Sequence, residues 1–311
     1  MASLKEIKSR IASVSSTLKI TSAMKLVASA KLRKAQQAIG NMLPYERQLH
    51  RILVDILSSD MEVSDRRPEN GIMVARPVKR VAIVAFSSNS SLCGAFNSNV
   101  ARETMSLIKE YRSSGLEDSD ITVYPIGRKI SDSLKKAGFV CGQDYSRMME
   151  SPNYEAASKL AQELMDRFLA GSYDKVELVF NHFKSTASQP TTRQVFLPLT
   201  LSVEASGLNA GKRPEVLEEE MPRPRNPEDL IIEPSPFELL EVLMPKVVRL
   251  RIFTTLLDSS AAEHAARTVA MQTATDNAED LLQELTLEYN KGRQQKITSE
   301  ILDIVGGSLK K

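Results

Sequence analysis

The chain has 311 residues, of which 42% are hydrophobic and 26% charged, and its formal net charge is +2. That length can hold one or two domains with a buried core, and the small net charge gives no general reason to expect a nucleic-acid partner. The longest uncharged run, residues 81–101, is too rich in Ser and Asn to span a membrane. Aromatic residues make up only 5%, which is typical of long helices built on Leu, Ala, Lys, Glu and Gln.

A three-four spacing of apolar residues runs through residues 1–58 and predicts a long coiled-coil helix. The spacing fails only at Thr21, Lys25 and Glu46. Pro44 removes one helical hydrogen bond, so we expect a kink at most, since the pattern resumes beyond it. Residues 1–40 contain eight Lys or Arg and one acidic residue, Glu6, which gives a local net charge of +7. The N-terminal segment is therefore predicted to be a positively charged rod.

Residues 77–202 alternate short apolar runs with helical periods, which predicts a mostly parallel, Rossmann-like open sheet. Strands are expected over Arg80 to Phe86, Ile121 to Ile126 and Lys175 to Phe183. A last strand, Thr192 to Leu199, is expected to pair antiparallel at the edge. Helical periods cover residues 99–112, 129–137 and 153–169. We expect this region to fold as a domain of its own.

The loop SSNSSLCGAFN, after the first of these strands, stands where a dinucleotide-binding fingerprint would lie. Gly94 is its only glycine, and cradling a pyrophosphate requires several, so we predict no bound cofactor. The three histidines are scattered without metal-ligand spacing, and no serine or cysteine lies in a nucleophile motif. Cys93 and Cys141 form no metal or redox motif and are expected to have no function. The sequence thus predicts neither a catalytic nor a metal site.

Residues 203–235 are rich in proline and carry an acidic run, so we interpret them as a linker. A second long helix is predicted over 236–307, with Ser235 as its cap, Pro236 in its first turn and Gly306-Gly307 as its end. Between residues 261 and 278 its surface is mostly Ala and Thr, which suits close packing on another helix. The two terminal helices are expected to form an antiparallel pair with the sheet domain inserted between them.

The basic rod leaves several interpretations open. It could neutralise nucleic-acid phosphates, lie on anionic lipid, face an acidic protein surface, or be a solvated coiled-coil face. Nucleic acid is disfavoured because no aromatic residue occurs in the first forty positions. Two classes of function therefore stay as alternatives: a basic coiled-coil nucleic-acid-binding or scaffold protein, and an enzyme that uses the Rossmann-like domain.

Two strings narrow the choice. LKEIKSRIASVSSTLKITSAMKLVASAKLRKAQ, from Leu4 to Gln36, and EHAARTVAMQTATDNAEDLL with LEYNKGRQQKITSEILDIVGG, from Glu263 to Gly307, closely resemble the two ends of the gamma subunit of F-type ATP synthases. The resemblance includes polar and small residues as well as apolar ones. It implies a central rotor shaft that couples ion-driven rotation to ATP synthesis or hydrolysis, and that is not itself an enzyme.

The resemblance also implies partners and contact residues. In the family, the coiled coil turns inside a ring of three alpha and three beta subunits, and the sheet domain lies near the epsilon subunit and the membrane c-ring. Nucleotides bind the ring, and neither nucleic acid nor direct membrane insertion is expected. Carried onto this sequence, the residues that contact the ring are Met24, Lys25, Arg267, Gln294 and Thr298.

Two features depart from the family pattern. The loop SSNSSLCGAFN lacks the usual acidic and basic residues and the second glycine, and the proline-rich segment is longer than usual. The cysteine-bearing insert of the chloroplast form is absent, so redox control is not expected. With the family motif beginning at the first residues, we expect a bacterial protein located peripherally on the cytoplasmic face of the inner membrane.

Overall fold

The fold is that of two very long helices and a small sheet. The computed structural model describes residues 3–59, 71–139, 145–199, 232–233 and 235–308. Helix α1 spans Leu4–Ser59 and continues through Pro44. The last helix, here α6, spans Pro236–Ser308 and contains Pro245. At about 1.5 Å per residue, its 73 residues make a rod roughly 110 Å long.

The sheet domain follows the predicted order of strands and helices. Its strands are β1 (Val81–Phe86), β2 (Ile121–Ile126), β3 (Lys175–Asn181) and β4 (Thr191–Leu197). Its helices are α2 (Phe96–Ser113), α3 (Arg128–Lys136), α4 (Ser146–Glu150) and α5 (Tyr154–Leu169). A short 3-10 turn, Asp118–Asp120, precedes β2. All four predicted strands are confirmed, with ends that differ by at most two residues.

The strands form one mixed sheet in the order β2-β1-β3-β4. Strand β1 pairs parallel with both β2 and β3, and its register with β2 runs from Val81 opposite Ile121 to Phe86 opposite Ile126. Strand β4 pairs antiparallel with β3, as predicted for the edge. A central parallel strand is covered on both faces, which explains why all six residues of β1 are buried.

Helices cover both faces of the sheet. On one face, Val81, Ile83 and Ala85 of β1 pack with side chains of α2 and α3. On the other face, Ala82, Val84 and Phe86 pack with α5 and with one stretch of α6. That stretch supplies the fully buried Val248, Ile252 and Leu256. The core of the sheet domain therefore includes residues that lie far outside 77–202.

The two terminal helices lie antiparallel, as expected, and α1 packs mainly on α6. The expected cap of α6 is present, since the Glu238 amide donates to Ser235 Oγ at 3.2 Å. Its predicted end, residue 307, lies one residue before Ser308, the last residue of the helix as described. Gly306 and Gly307 lie inside its last turn, since glycine costs a helix only about 1 kcal/mol relative to alanine. No helix within the described ranges combines the length and hydropathy needed to cross a bilayer.

Two sequence-based expectations lie wholly or mainly outside the described residues. They concern the proline-rich linker, of which only 232, 233 and 235 are described, and Cys141. Cys93 is a free, buried cysteine. Burial raises the pKa of its thiol, which keeps it protonated and suits the expectation that it is inert.

Candidate subunit-contact surface

The five candidate contact residues lie at two levels along the coiled coil. Met24 and Lys25 of α1 lie close to the level of Arg267 of α6, since Lys25 contacts Gln272, five residues away on α6. Gln294 and Thr298 lie near the far end of α6. There, Gly292 stands against Leu4, because a Cβ built on Gly292 would come within 3.1 Å of Leu4 Cδ2. The structure therefore brings together the first three residues, and separately the last two.

The end of α6 extends beyond the first described turn of α1. Residues 293–308 amount to about 24 Å of helix. Gln294 and Thr298 are exposed here, and the Thr298 hydroxyl donates to its own helix, to the Gln294 carbonyl at 2.9 Å. Large apolar side chains beside them are also exposed: Ile297, Ile301, Leu302 and Ile304. This end thus presents apolar surface with a few polar groups, an arrangement that suits a protein partner.

Lys25 differs from the other basic residues of the N-terminal rod. Its Nζ donates to Gln272 Oε1 at 2.6 Å, so its ammonium group is bound within the chain. The other seven Lys and Arg of residues 1–40 are exposed. Met24 is half-buried, whereas its neighbours Leu26 and Val27 are 68% and 58% exposed. The outward surface at this level is therefore apolar and flanked by positive charge.

Arg267 is also engaged within the chain. Its Nη1 lies 2.5 Å from Glu263 Oε1, and its Nη2 donates to Ser90 Oγ at 2.8 Å. Its side chain is only 11% exposed. The resemblance implies a contact with the ring for Arg267, and these bonds show that its guanidinium also holds the chain together. Arg267 attaches the loop after β1 to α6, and nothing in the spacing of Ser90 and Arg267 could have signalled this.

The loop of residues 87–97 therefore belongs to this surface, although its sequence suggested only a weak nucleotide motif. Cys93 and Phe96 pack against Ala262 and Phe183. At the tip, Leu92 has a φ of +68° and is 59% exposed. A large side chain held outward in the left-handed region is uncommon, and it adds apolar surface beside the coiled coil.

The same loop closes the start of α3, the helix after β2. The first amides of α3 are already bonded: Arg128 N to Asn89 Oδ1 at 3.0 Å, Lys129 N to the Ser88 carbonyl at 3.1 Å, and Ile130 N to Ser87 Oγ at 2.9 Å. Gly127, with a φ of +101°, packs so closely that an added Cβ would lie 2.1 Å from the Ser87 carbonyl oxygen. The start of α3 is thus occupied by the chain itself, while a dinucleotide fingerprint would lie at the start of α2, where Gly94 is the only glycine of the loop.

Buried polar groups lie where the coiled coil meets the sheet. Asp258 of α6 binds His182 Nδ1 at 2.7 Å and accepts from the Phe183 amide at 3.0 Å. Glu46 of α1 is mostly buried, and burial raises its pKa to about 7 against the opposing effect of Arg251. Burial also lowers the pKa of His264 to about 4, so this imidazole is neutral. Among the described residues, no His, Cys, Asp or Glu group has the arrangement of a metal site.

Comparison with known proteins gives a consistent result over the whole chain. A family model described as ATP synthase matches residues 3–309. The chain is 54% identical over 309 residues to the ATP synthase gamma chain of Phocaeicola vulgatus, covering 99% of this chain and 100% of the relative. It is 42% identical over 308 residues to the ATP synthase gamma chain of Flavobacterium johnsoniae, covering 99% and 98%.

Solved structures share the fold. A chain of the Euglena gracilis mitochondrial ATP synthase, in a structure of OSCP, F1 and c-ring, superposes with a TM-score of 0.61 at 18% identity, covering 98% of this chain and 93% of that one. A chain of the Tetrahymena thermophila mitochondrial ATP synthase, in a structure of the central stalk and c-ring, gives 0.57 at 23% identity, covering 82% and 99%.

Proposed function

Because the chain belongs to the family of ATP synthase gamma chains, the central stalk of F1, we propose that it acts as a non-catalytic rotor shaft inside a ring of three alpha and three beta subunits. The shaft couples ion-driven rotation to ATP synthesis or hydrolysis on the ring. The observation that carries this proposal is the antiparallel pair of helices, 56 and 73 residues long, with a sheet domain attached on one side. A rod of this length far exceeds what one compact domain needs.

The proposed partners follow from the two parts of the molecule. The coiled coil and the protruding end of α6 contact the alpha and beta subunits, and the sheet domain contacts the epsilon subunit and the membrane c-ring. Solved relatives from complexes containing F1 and the c-ring support this assignment. The complex is placed peripherally on the cytoplasmic face of a bacterial inner membrane, which the bacterial origin of the closely similar relatives supports.

The proposed contact residues divide by their accessibility. Gln294 and Thr298 are exposed on one face of α6 and present an amide and a hydroxyl to the ring. Met24 contributes to the apolar surface formed by Leu26 and Val27. Lys25 and Arg267 each use some of their N–H groups in hydrogen bonds within the chain. We assign them to the ring contact through their remaining N–H groups.

Assembly and coupling test this function. Tagged chain purified from its native source should bring down alpha, beta and epsilon subunits, and their absence would overturn the proposal. Gln294→Ala and Thr298→Ala should then be assembled with alpha and beta and assayed for ATP hydrolysis and ATP-driven proton pumping. Loss of one partly desolvated bond costs about 1 to 3 kcal/mol, so we expect rates to fall severalfold or more.

The matched controls are Gln295→Ala and Ser299→Ala. These exposed residues have the same i, i+4 spacing but lie about 100° further around the helix. Equal effects in both pairs, or wild-type rates in all assembled complexes, would show that the face carrying Gln294 and Thr298 is not a specific contact.

A nucleotide titration addresses the alternative of an enzyme built on the sheet domain. Since Gly94 is the only glycine in the loop before α2, and the first amides of α3 are bonded to residues 87–89, we expect no calorimetric binding of ATP or NAD to the full chain. A dissociation constant below roughly 100 µM, about −5.5 kcal/mol, would contradict this expectation.

A further inference from the structure

The apolar seam of α1 is interrupted at Thr21, Lys25 and Glu46, and the first two of these meet a polar residue of α6. The hydroxyl oxygens of Thr21 and Thr275 lie 3.0 Å apart, and both side chains are buried. Lys25 donates to Gln272 at 2.6 Å. At these two positions the opposite helix offers a polar partner.

The contacts follow one antiparallel register to within one residue. From Leu4 to Thr21 the chain advances 17 residues, and its partner moves back 17 residues, from Gly292 to Thr275. From Leu4 to Lys25 the chain advances 21 residues, and its partner moves back 20 residues, from Gly292 to Gln272. The helices therefore keep their pairing over this stretch of α1.

Apolar packing fixes this register only weakly. The α6 side chains that pack on Leu32 and Ala35 of α1 are small, Ala261 and Ala265, and they stand four residues apart. A shift of four residues, about 6 Å, would bring one alanine to the place of the other. Because α1 packs mainly on α6, few other contacts within the described residues oppose such a shift.

We propose that the polar pairs Thr21 with Thr275 and Lys25 with Gln272 lock the axial register of the two terminal helices. A slip of four residues would place Met271 or Glu279 opposite Thr21. It would set an apolar or an acidic side chain against a buried hydroxyl and take the Gln272 acceptor away from Lys25, so the slipped states are disfavoured. Single polar positions in coiled-coil seams specify register in the same way, at some cost in stability.

Distance measurements between spin labels test this lock. Nitroxide labels are attached to Arg33→Cys and Glu284→Cys, both exposed, in the full chain carrying Cys93→Ala and Cys141→Ala. In the native register these sites are offset by about 30 Å along the axis, so a slip of four residues changes the distance by about 6 Å. Wild-type pairs should give a single population.

The decisive variant combines Thr21→Val, Lys25→Met, Gln272→Met and Thr275→Val. It should keep its helicity and gain a second distance population shifted by about 6 Å, because two polar pairs no longer oppose the slip. A single wild-type population in this variant would overturn the proposal. If it does not fold, the two double variants, one for each pair, decide by the same criterion.

Two controls separate register from general destabilisation. Lys25→Gln with Gln272→Lys exchanges the partners and keeps the bond, so it should keep one population. Thr273→Val, Gln283→Met and Thr286→Val remove the same residue types from exposed positions of α6 and should also keep one. A second distance population in either control would mean that the slip follows from a general loss of stability. That result would contradict the proposed register lock.

Discussion

Arg267 connects α6 with the loop after β1 through one guanidinium group. It lies 2.5 Å from the carboxylate of Glu263, which is itself only 8% exposed, and it donates to Ser90 in the loop after β1. Burial raises the pKa of Glu263, and the Arg267 charge opposes that rise. The family resemblance implies that Arg267 contacts another subunit, and these bonds show that it also stabilises the fold of its own chain.

Arg267→Ala should destabilise the isolated chain by about 1 to 3 kcal/mol, because Glu263 would stay buried without its partner. Chemical denaturation of the full chain measures this loss. Adding Glu263→Gln should recover part of the stability, since it removes the unpaired charge. The control is Lys296→Ala, which breaks an ion pair with Glu300 whose side chains are 66% and 62% exposed. An effect of Arg267→Ala no larger than that of the control would show that its internal bonds contribute little.

Glu46 makes the stability depend on pH. Its ordinary pKa near 4.5 rises to about 7 in the folded chain because the carboxyl is buried. The folded state therefore holds the proton more tightly than the unfolded state, and stability falls as pH rises from about 4.5 through 7. Glu46→Gln is always neutral, so its stability relative to wild type should be greater at pH 8 than at pH 5, by on the order of 2 kcal/mol.

Unfolding curves at the two pH values measure this difference. Glu155→Gln serves as the control, because Glu155 lies in an exposed pair with Lys159. The same pH dependence in Glu46→Gln and in wild type would show that Glu46 does not titrate between these values.

Helix α6 packs against two different parts of the molecule along its length. Near its start it covers one face of the sheet through Val248, Ile252 and Leu256, and further along it packs against α1 through Ala261 and Ala265. Gln162 of α5 also accepts a hydrogen bond at 2.6 Å from Arg249. The helix is thus continuous with the domain core, and a rotation of the shaft has to carry the sheet domain with it.

Ile252→Ala should cost about 2 to 5 kcal/mol, because this fully buried side chain fills the space between α6 and the sheet. Val242→Ala lies on the same helix ten residues earlier, where the side chain is 54% exposed, and should change stability by no more than about 0.5 kcal/mol. Thermal unfolding compares the two variants. Similar small losses would mean that α6 is not part of the sheet core.

At the scale of the whole molecule, each terminal helix depends on the other. Helix α1 has a large exposed surface and packs mainly on α6, so its stability comes from one shared seam. Isolated helices draw most of their stability from such a packed face. The intervening domain keeps the two helices on one chain and so raises their effective concentration.

A peptide of residues 1–58 should therefore be only partly helical in water. Mixing it with a peptide of residues 236–308 should raise the helical signal in circular dichroism above the sum of the two separate spectra. Full helicity of the monomeric 1–58 peptide alone would contradict this mutual dependence.

The sequence by itself determined the elements and their order. Apolar periods are local, so the six buried residues of β1, the cap at Ser235 and the two long helices could be predicted from neighbouring residues. The end predicted at residue 307 lies one residue from Ser308, the last helical residue described, so this local signal too was close.

Only the tertiary structure decided which distant groups meet. Ser90 and Arg267 are 177 residues apart, and Lys25 and Gln272 are 247 apart. Their contacts depend on the register of α1 against α6 and on the face of the sheet that α6 covers. A stripe of apolar residues predicts that one face of a helix is buried, but it does not predict which surface covers that face. Two alanines four residues apart, Ala261 and Ala265, fit more than one register against α1. In the sequence of α1 alone, the polar side chains that we propose to specify the register only interrupt the apolar spacing. Their partners on α6 are known only from the tertiary structure.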